Sequence, residues 1–316
     1  MRRLLAAALC LAAGAALAQG YPSKPLRLIV SFPPGGSSDF VARAVAAKIS
    51  DRLGQQVLVE NRGGAGGNIG VDAVAKAAPD GYTLGVAAAG ALSVNATLYP
   101  SMPFDADKDL APVSLMAMIP FVLISGAQSP FMDLKDVIAA ARAGNVAYAH
   151  GGNGSAMHLC GELLKMMAGI ELQAVPYKGS GPVASDVLGG QVPLGIVDVP
   201  SALAQVKAGR LRALAVTTRR RIAAAPEVPT FDEAGVPGYE AIGWFGMIAP
   251  AGVPDAVLAR VNSEVRQALV APDLRERALA AGAEPSPSTP GEFAAFIRSE
   301  REKWARVVRA AKVRID

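Results

Sequence analysis

Serine, glycine and aspartate residues cluster where a predicted strand meets a predicted helix, and their chemistry suits an anion. The stretch Phe32–Asp39 (FPPGGSSD) overlaps the end of an apolar run, Leu26–Phe32, and precedes the predicted helix Asp39–Leu53. Glycine lets backbone N–H groups approach a guest closely, and serine and aspartate favour a helix N-terminus, whose positive dipole end attracts a carboxylate or phosphate. A well-capped turn without a ligand explains the same residues equally well.

Further loops of the same character follow other predicted strands. They offer backbone N–H groups, hydroxyls and small side chains: Ala88–Ser93, Gly151–Ser155, Lys178–Pro182 and the strand-end Asp198. A cleft lined in this way can hold a carboxylate without arginine, because hydrogen bonds to a charged acceptor contribute about 1.5–3 kcal/mol each. Three or four such bonds, less the cost of association, are compatible with micromolar binding.

The glycine-rich segment Asn61–Gly70 invites interpretation as a dinucleotide-binding loop. That fingerprint requires glycine or alanine three residues after Gly66, where Ile69 stands, and the segment follows an export signal. No Gly-x-Ser-x-Gly motif occurs anywhere in the chain. Neither dinucleotide chemistry nor a hydrolase of that kind is therefore predicted.

Two histidines and a cysteine lie close together in sequence and could form a thiol nucleophile or a metal site. His158 and Cys160 are two residues apart on a predicted helix, so they point to different faces, and His150 is the only other histidine. A buried Cys160 and a His158 in the first helical turn are the favoured interpretation. We expect no metal and no cofactor.

Four other residues carry two possible roles each. Asp39 and Asp198 could act as general bases, but Asp39 is expected to shape its loop and Asp198 to meet a neighbouring loop or a ligand amine or hydroxyl. Tyr177 and Trp244 fit packing roles and cleft walls equally well.

The first eighteen residues have the pattern of a signal peptide. Arg2 and Arg3 precede an apolar segment, Leu4–Ala15, and Ala16–Ala18 forms a small-x-small cleavage site, so we predict cleavage after Ala18 and export. These eighteen residues hold two of the 31 basic residues and none of the 27 acidic ones, so the mature 298-residue chain carries a formal charge of +2. That balance argues against nucleic-acid binding. Cys160 alone remains, so no internal disulfide forms.

Strands and helices alternate along the mature chain, which predicts mostly parallel sheets flanked by helices. The chain is predicted to cross between two α/β lobes near Pro120 and to return near residue 242, in the strand Gly243–Ala249. We therefore expect a discontinuous first lobe, 19–120 with 242–316, and a second lobe, 121–241. Two crossings imply a hinge and a cleft at the strand ends.

Several motifs together resemble the tripartite tricarboxylate transporter receptor family, also called Bug proteins. The resemblance covers nearly the whole mature chain, in order, and rests on the following segments: Phe32–Asp39, Val59–Gly70, Pro79–Leu84, Gly152–Ser155, Val175–Pro182, Leu211–Thr217 and Ala249–Pro254. It implies a periplasmic solute-binding protein of the type II-like, Venus flytrap class. The implied partners are a small carboxylate and membrane transporter subunits, and we expect a monomer.

The resemblance also implies binding residues. Two loops, Pro34–Asp39 and Gly152–Ser155, would grip a carboxylate like pincers, with bridging waters. That role falls on Pro34, Gly35, Gly36, Ser37, Asp39, Gly154 and Ser155. The other end of the ligand would meet less constant positions, here Ala89, Gly90, Tyr177 and Asp198.

This chain departs from the family pattern at three positions. Gly63 and Met157 stand where proline is frequent, and Val199 stands where asparagine is frequent. Met157 would change a residue beside the cleft and with it the choice of ligand, whereas Gly63 would alter only the stiffness of its loop. The expected function is carboxylate capture for a transporter. The alternatives are a sensor subunit that presents ligand to a membrane receptor and a secreted enzyme acting on a carboxylate.

Overall fold

The structure, a computed structural model, describes residues 20–144 and 146–310. The predicted signal peptide and its cleavage site lie outside the described residues. The strands are β1 Leu26–Val30, β2 Val57–Asn61, β3 Thr83–Ala88, β4 Leu110–Gly126, β5 Val146–His150, β6 Leu172–Pro176, β7 Leu194–Asp198, β8 Leu211–Val216, β9 Ile242–Pro250 and β10 Glu284–Pro285. The helices are α1 Ser37–Leu53, α2 Asn68–Ala75, α3 Asn95–Leu98, α4 Leu134–Ala143, α5 Ala156–Ala168, α6 Ser180–Leu188, α7 Val199–Lys207, α8 Asp255–Val270, α9 Pro272–Ala280 and α10 Pro290–Ala310.

The strands form a mixed sheet in the order β2-β1-β3-β9-β4-β7-β5-β6, with β8 and β10 also paired to β4. The predicted parallel pairing holds for β2-β1-β3 and β6-β5-β7, where helices connect successive strands. The strands β4 and β9 are antiparallel to their neighbours, because the chain leaves one half of the molecule along β4 and returns along β9.

The long strand β4 belongs to both halves of the molecule. Its first part, Leu110–Pro120, pairs with β9, and its second part, from Phe121, pairs with β7 and β8. We call β1–β3, β9, β10 and the first part of β4 the first lobe, and β5–β8 and the second part of β4 the second lobe. We propose that residues 19–120 with 242–316 and residues 121–241 are the extents of the two lobes.

One continuous strand, β4, runs across Pro120. Proline cannot donate to a ladder, so it is tolerated at the end of one. Pro120 pairs with Ile242, the last pair of the β4–β9 ladder, and there the missing donor costs little.

Apolar spacing and glycine stops explain the helices that reach the cleft. Along α1, Val41, Val45 and Ile49 are buried against the sheet, and Gly54 ends the helix in the left-handed conformation, with φ +65°. The last helix, α10, is tied to β9 because Trp244 and Trp304 both donate to the Glu300 carboxylate, at 3.1 and 2.9 Å. None of the described helices is long and apolar enough to cross a membrane.

Candidate functional site

A cleft lies between the lobes, over the strands that connect them. The first lobe contributes Phe32, Pro33, Pro34, Gly36, Ser37, Ser38, Ala88, Ala89 and Gly90, and the second contributes Ser155, Ala156, Met157, Lys178, Gly179, Ser180, Gly181, Pro182 and Asp198. The walls include Ile119, Phe121, Gly243, Trp244 and Phe245 of β4 and β9. The cleft therefore has apolar walls and polar loops at its ends.

The first jaw, Pro34–Asp39, begins α1 at the cleft. Gly36 is the N-cap, with extended backbone and no side-chain cap. The helix therefore begins at Ser37, two residues earlier than predicted, and includes Ser37 and Ser38. Ser37 is 2% exposed, and its hydroxyl has no hydrogen-bond partner among the described residues. Because the first-turn N–H groups of a helix have no acceptor within it, this jaw offers free donors to the cleft.

Asp39 lies on the far side of the first jaw from the cleft. Its carboxylate accepts hydrogen bonds from Arg43 Nε (2.9 Å), Asn61 Nδ2 (3.0 Å) and the Gly35 N–H (3.2 Å). Burial alone would raise the pKa of Asp39, but these hydrogen bonds outweigh it and lower the pKa. The residue therefore stays charged and braces the loop, the role that sequence reasoning favoured over general-base chemistry.

The second jaw, Gly152–Ser155, begins α5 on the opposite side of the cleft. Ser155 is the N-cap, and its hydroxyl accepts from the His158 N–H at 3.3 Å. Ala156 and Met157 line the cleft in the first turn of the helix, where N–H groups have no intrahelical acceptor. The two jaws therefore present two helix N-termini, one from each lobe, to the same space.

Two stacked histidines support the second jaw from beneath. The rings of His150 and His158 are 4.5 Å apart and nearly parallel. His158 Nδ1 accepts from the Gly154 N–H (3.4 Å), and His150 Nδ1 lies 3.1 Å from the Gly152 carbonyl oxygen. Burial, together with repulsion from a protonated His158, lowers the pKa of His150 to about 3. Burial, together with the charge of Lys165, lowers the pKa of His158 to about 4. Both rings are therefore neutral at neutral pH and hold the loop as uncharged groups.

Cys160 has no access to the cleft. It is fully buried, and burial raises its pKa to about 12, so it is inert packing rather than a nucleophile. Among the residues that the structure describes, no group of three histidine, cysteine or acidic side chains could hold a metal ion.

A third helix, α6, also begins at the cleft, next to Asp198. The Ser180 hydroxyl donates to Asp198 Oδ2 at 2.5 Å, and Asp198 Oδ1 caps α7 by accepting from the Ser201 N–H at 3.1 Å. Both oxygens of Asp198 are thus engaged by the protein, although the residue lines the cleft. Lys178 is the one cationic side chain among the lining residues.

Electrostatics at the cleft favour an anion. The N-termini of α1, α5 and α6 meet there, and each helix end carries a partial positive charge of roughly half a unit. Lys178 adds a positive charge at the rim, and Asp198, the only acidic lining residue, is satisfied by its neighbours.

Seven predicted site residues come together in the cleft: Pro34, Gly36, Ser37, Ala89, Gly90, Ser155 and Asp198. Four others lie just outside it. Gly35 and Asp39 border an outer groove next to α1, and Gly154, within the second jaw, packs against Gly90 and Asn95 of the first lobe. Tyr177 borders a neighbouring groove, and its hydroxyl donates to Asp186 at 2.7 Å.

Sequence reasoning missed most of the cleft walls. Phe32 lines the cleft from the loop after β1, and Ile119, Phe121 and Phe245 line it from β4 and β9, the strands that cross between the lobes. No local sequence pattern indicates which residues of those strands face the cleft. The sequence left two roles for Trp244, core packing and a cleft wall. The residue has both, because it lines the cleft and is only 1% exposed.

Two of the three departures from the family pattern can be placed against the cleft. Met157 lines it, with its sulfur 3.1 Å from the Ser180 hydroxyl, whereas Val199 packs into the second lobe's apolar core. Of these two residues, only Met157 lines the cleft.

Known proteins are similar to this chain over nearly its whole length. A sequence model of the tripartite tricarboxylate transporter family receptors matches residues 41–313. BugT of Bordetella pertussis is 42% identical over 92% of this chain and 90% of its own length. Two solved structures share the fold. A protein of R. palustris with adipate has a TM-score of 0.90 and 35% identity over 93% of this chain and 99% of that one. MatC from Rhodopseudomonas palustris with bound malate has a TM-score of 0.87 and 32% identity over 91% and 100%.

Proposed function

Because the chain belongs to the tripartite tricarboxylate transporter receptor family, whose members are receptors and not enzymes, we propose that it is a periplasmic receptor that captures a small organic carboxylate for a membrane transporter. The two lobes close over the ligand, and contacts made only in the closed state drive closure. The sensor alternative has no specific observation in its favour.

One observation carries this proposal. Helix N-termini from both lobes meet at one cleft, and the buried Ser37 hydroxyl there has no partner among the described residues. A buried hydroxyl without a partner costs free energy, and a carboxylate oxygen would satisfy it. The first jaw, the second jaw and α6 could then share the charge of one carboxylate group or of two.

Two relatives suggest the probes. Proteins at 35% and 32% identity were solved with adipate and with malate, both dicarboxylates. We therefore propose a dicarboxylate as the first ligand to test, by thermal shift and calorimetry against a panel of mono-, di- and tricarboxylates and acidic amino acids. An affinity in the micromolar range is expected for a matching ligand. A panel in which nothing binds would contradict the proposal.

Replacing Ser37 by alanine is expected to weaken binding of the best panel ligand about 10- to 150-fold, because one hydrogen bond to a charged group is lost. The same change should leave the melting temperature equal or slightly higher, since an unsatisfied buried hydroxyl is removed. Calorimetry and thermal unfolding measure the two effects separately.

Ser31→Ala is the matched control for this variant. Ser31 is also a buried serine whose hydroxyl has no partner among the residues described, but it lies outside the set that lines the cleft. We expect it to change stability as Ser37→Ala does and to leave the affinity unchanged. Equal affinities of the Ser37→Ala and Ser31→Ala variants for the ligand would show that Ser37 does not contact it.

The partner and the oligomeric state belong to the same proposal. We propose that the ligand-loaded receptor acts as a monomer and docks on membrane subunits of a tripartite transporter. Sedimentation of the ligand-bound protein and transport assays in cells lacking the gene would test both points.

A further inference from the structure

The glycine-rich segment Asn61–Gly70, which is no dinucleotide loop, contacts the second lobe. A Cβ atom on Gly66 would lie 2.5 Å from the carbonyl oxygen of Asn153, in the second jaw, so the two backbones touch. Gly66 has a φ of +63°, which also favours glycine. The segment therefore allows the two lobes to come into contact, rather than binding a nucleotide.

Two further contacts join the same parts of the molecule. The Tyr99 hydroxyl, just after α3 in the first lobe, donates to the Asn153 carbonyl oxygen at 3.0 Å. Gly90 lies against Gly154, where an added Cβ would be 2.7 Å from the Gly154 carbonyl oxygen. The second jaw thus meets the first lobe at Gly66, Gly90 and Tyr99, at the edge of the cleft.

Asn95 weakens this contact between the lobes. Its Nδ2 donates to Asn68 Oδ1 at 2.7 Å, while its own Oδ1 faces Gly154 and has no donor within the described part of the chain. This oxygen is fully buried, so closure removes its water without supplying a partner, which opposes closure. A contact with one bond gained and one acceptor left unsatisfied can open again readily.

We propose that Gly66, Gly90 and Tyr99 of the first lobe and Asn153 and Gly154 of the second form a latch that holds the lobes closed, and that Asn95 limits its strength. The latch rests on the proposed function, since it acts on the lobe closure that captures a ligand. Tyr99 and Asn153 border the groove next to the cleft, so Tyr99 acts as a positioning residue and needs no contact with the ligand. It lengthens the time for which the second jaw stays over the ligand.

The test measures the distance between lobes in the mature protein. Spin labels at Arg275→Cys on α9 and Lys207→Cys on α7 occupy exposed positions, and the native Cys160 is fully buried. Distance distributions are recorded without ligand, with adipate and with malate. Tyr99→Phe removes one hydrogen bond, so we expect the closed population relative to the open one to fall about 3- to 10-fold. The dissociation rate of a bound ligand should rise by the same factor, with an unchanged association rate.

Tyr21→Phe is the matched control, because it also removes one tyrosine hydrogen bond, from the Tyr21 hydroxyl to the Gly81 carbonyl oxygen at 2.7 Å, and that bond lies wholly within the first lobe. Its distances and rates should equal those of the parent protein. The latch is contradicted if Tyr99→Phe and Tyr21→Phe give superimposable distance distributions, or if the parent protein has only an open distance under every condition. A parent protein that closes without ligand but binds neither dicarboxylate would count against the ligand class alone, and the comparison of distances would still decide the latch.

Discussion

The Gly90→Ala variant is expected to bind its carboxylate about 5- to 150-fold more weakly than the parent protein while unfolding at a similar temperature. Gly90 has no positive φ, so alanine is compatible with its backbone, and the short contact of the added Cβ is with the second lobe, 2.7 Å from the Gly154 carbonyl oxygen. Crowding of this kind costs about 1–3 kcal/mol, and the lobes avoid it by remaining apart. The cost therefore falls on closure rather than on folding.

Gly291→Ala provides the control for this variant, because an added Cβ there has no atom within 4 Å among the described residues. Calorimetry and thermal unfolding of both variants separate loss of closure from loss of fold. Gly90→Ala with the parent affinity would mean that the lobes do not approach each other at this point when the ligand binds.

Acid is expected to destabilise the protein well above the pH at which carboxylates titrate. His150 and His158 have pKa values of about 3 and about 4 in the fold, against 6.5 in an unfolded chain. Both values are lowered, so below pH 6.5 the unfolded state binds protons that the folded state does not. Stability is therefore lost as the pH falls from about 6.5 towards 4, and the two groups together account for roughly 3 kcal/mol between pH 6.5 and 5.

Groups around the two rings offer little compensation on protonation. Glu162 Oε1 is 3.9 Å from His158 Nε2, but the same carboxylate is held by Lys165 at 3.0 Å. Urea unfolding at several pH values measures the predicted slope, and His158→Gln should reduce it by about half. The sequence has only two histidines, so imidazole NMR signals follow both directly. Titration of both near pH 6.5 in the folded protein would contradict this expectation.

Much of the first jaw could be predicted from the sequence because its signals are local. An apolar run, a glycine pair and a helical apolar spacing are enough to place β1, the loop and α1 in order. The start of α1 was predicted two residues late, because the extended backbone of Gly36 takes the N-cap position that serine or aspartate would ordinarily fill. Residue type alone does not decide between capping candidates that lie two residues apart.

The side chains that turned away from the cleft were less predictable. Asp39 faces Arg43, one helical turn further on, and Asn61, which belongs to a different strand. The Arg43 spacing was visible in the sequence, but the approach of Asn61 depends on how β2 pairs with β1. Tyr177 likewise turns to Asp186 on α6.

Contacts between lobes could not be predicted, since they depend on how the two halves of the molecule lie relative to each other. The approach of Gly66 to Asn153 joins residues far apart in sequence, across the crossing strands β4 and β9. No periodicity or motif in either segment specifies the other as its partner.

A crystal structure of the mature protein with adipate or malate tests the central claim most directly. Two jaws, one from each lobe, should hold one carboxylate group, with its oxygens about 3 Å from the Ser37 hydroxyl and from first-turn N–H groups of both α1 and α5, directly or through one bridging water. A carboxylate bound to one lobe only, or outside the cleft between the jaws, would contradict it.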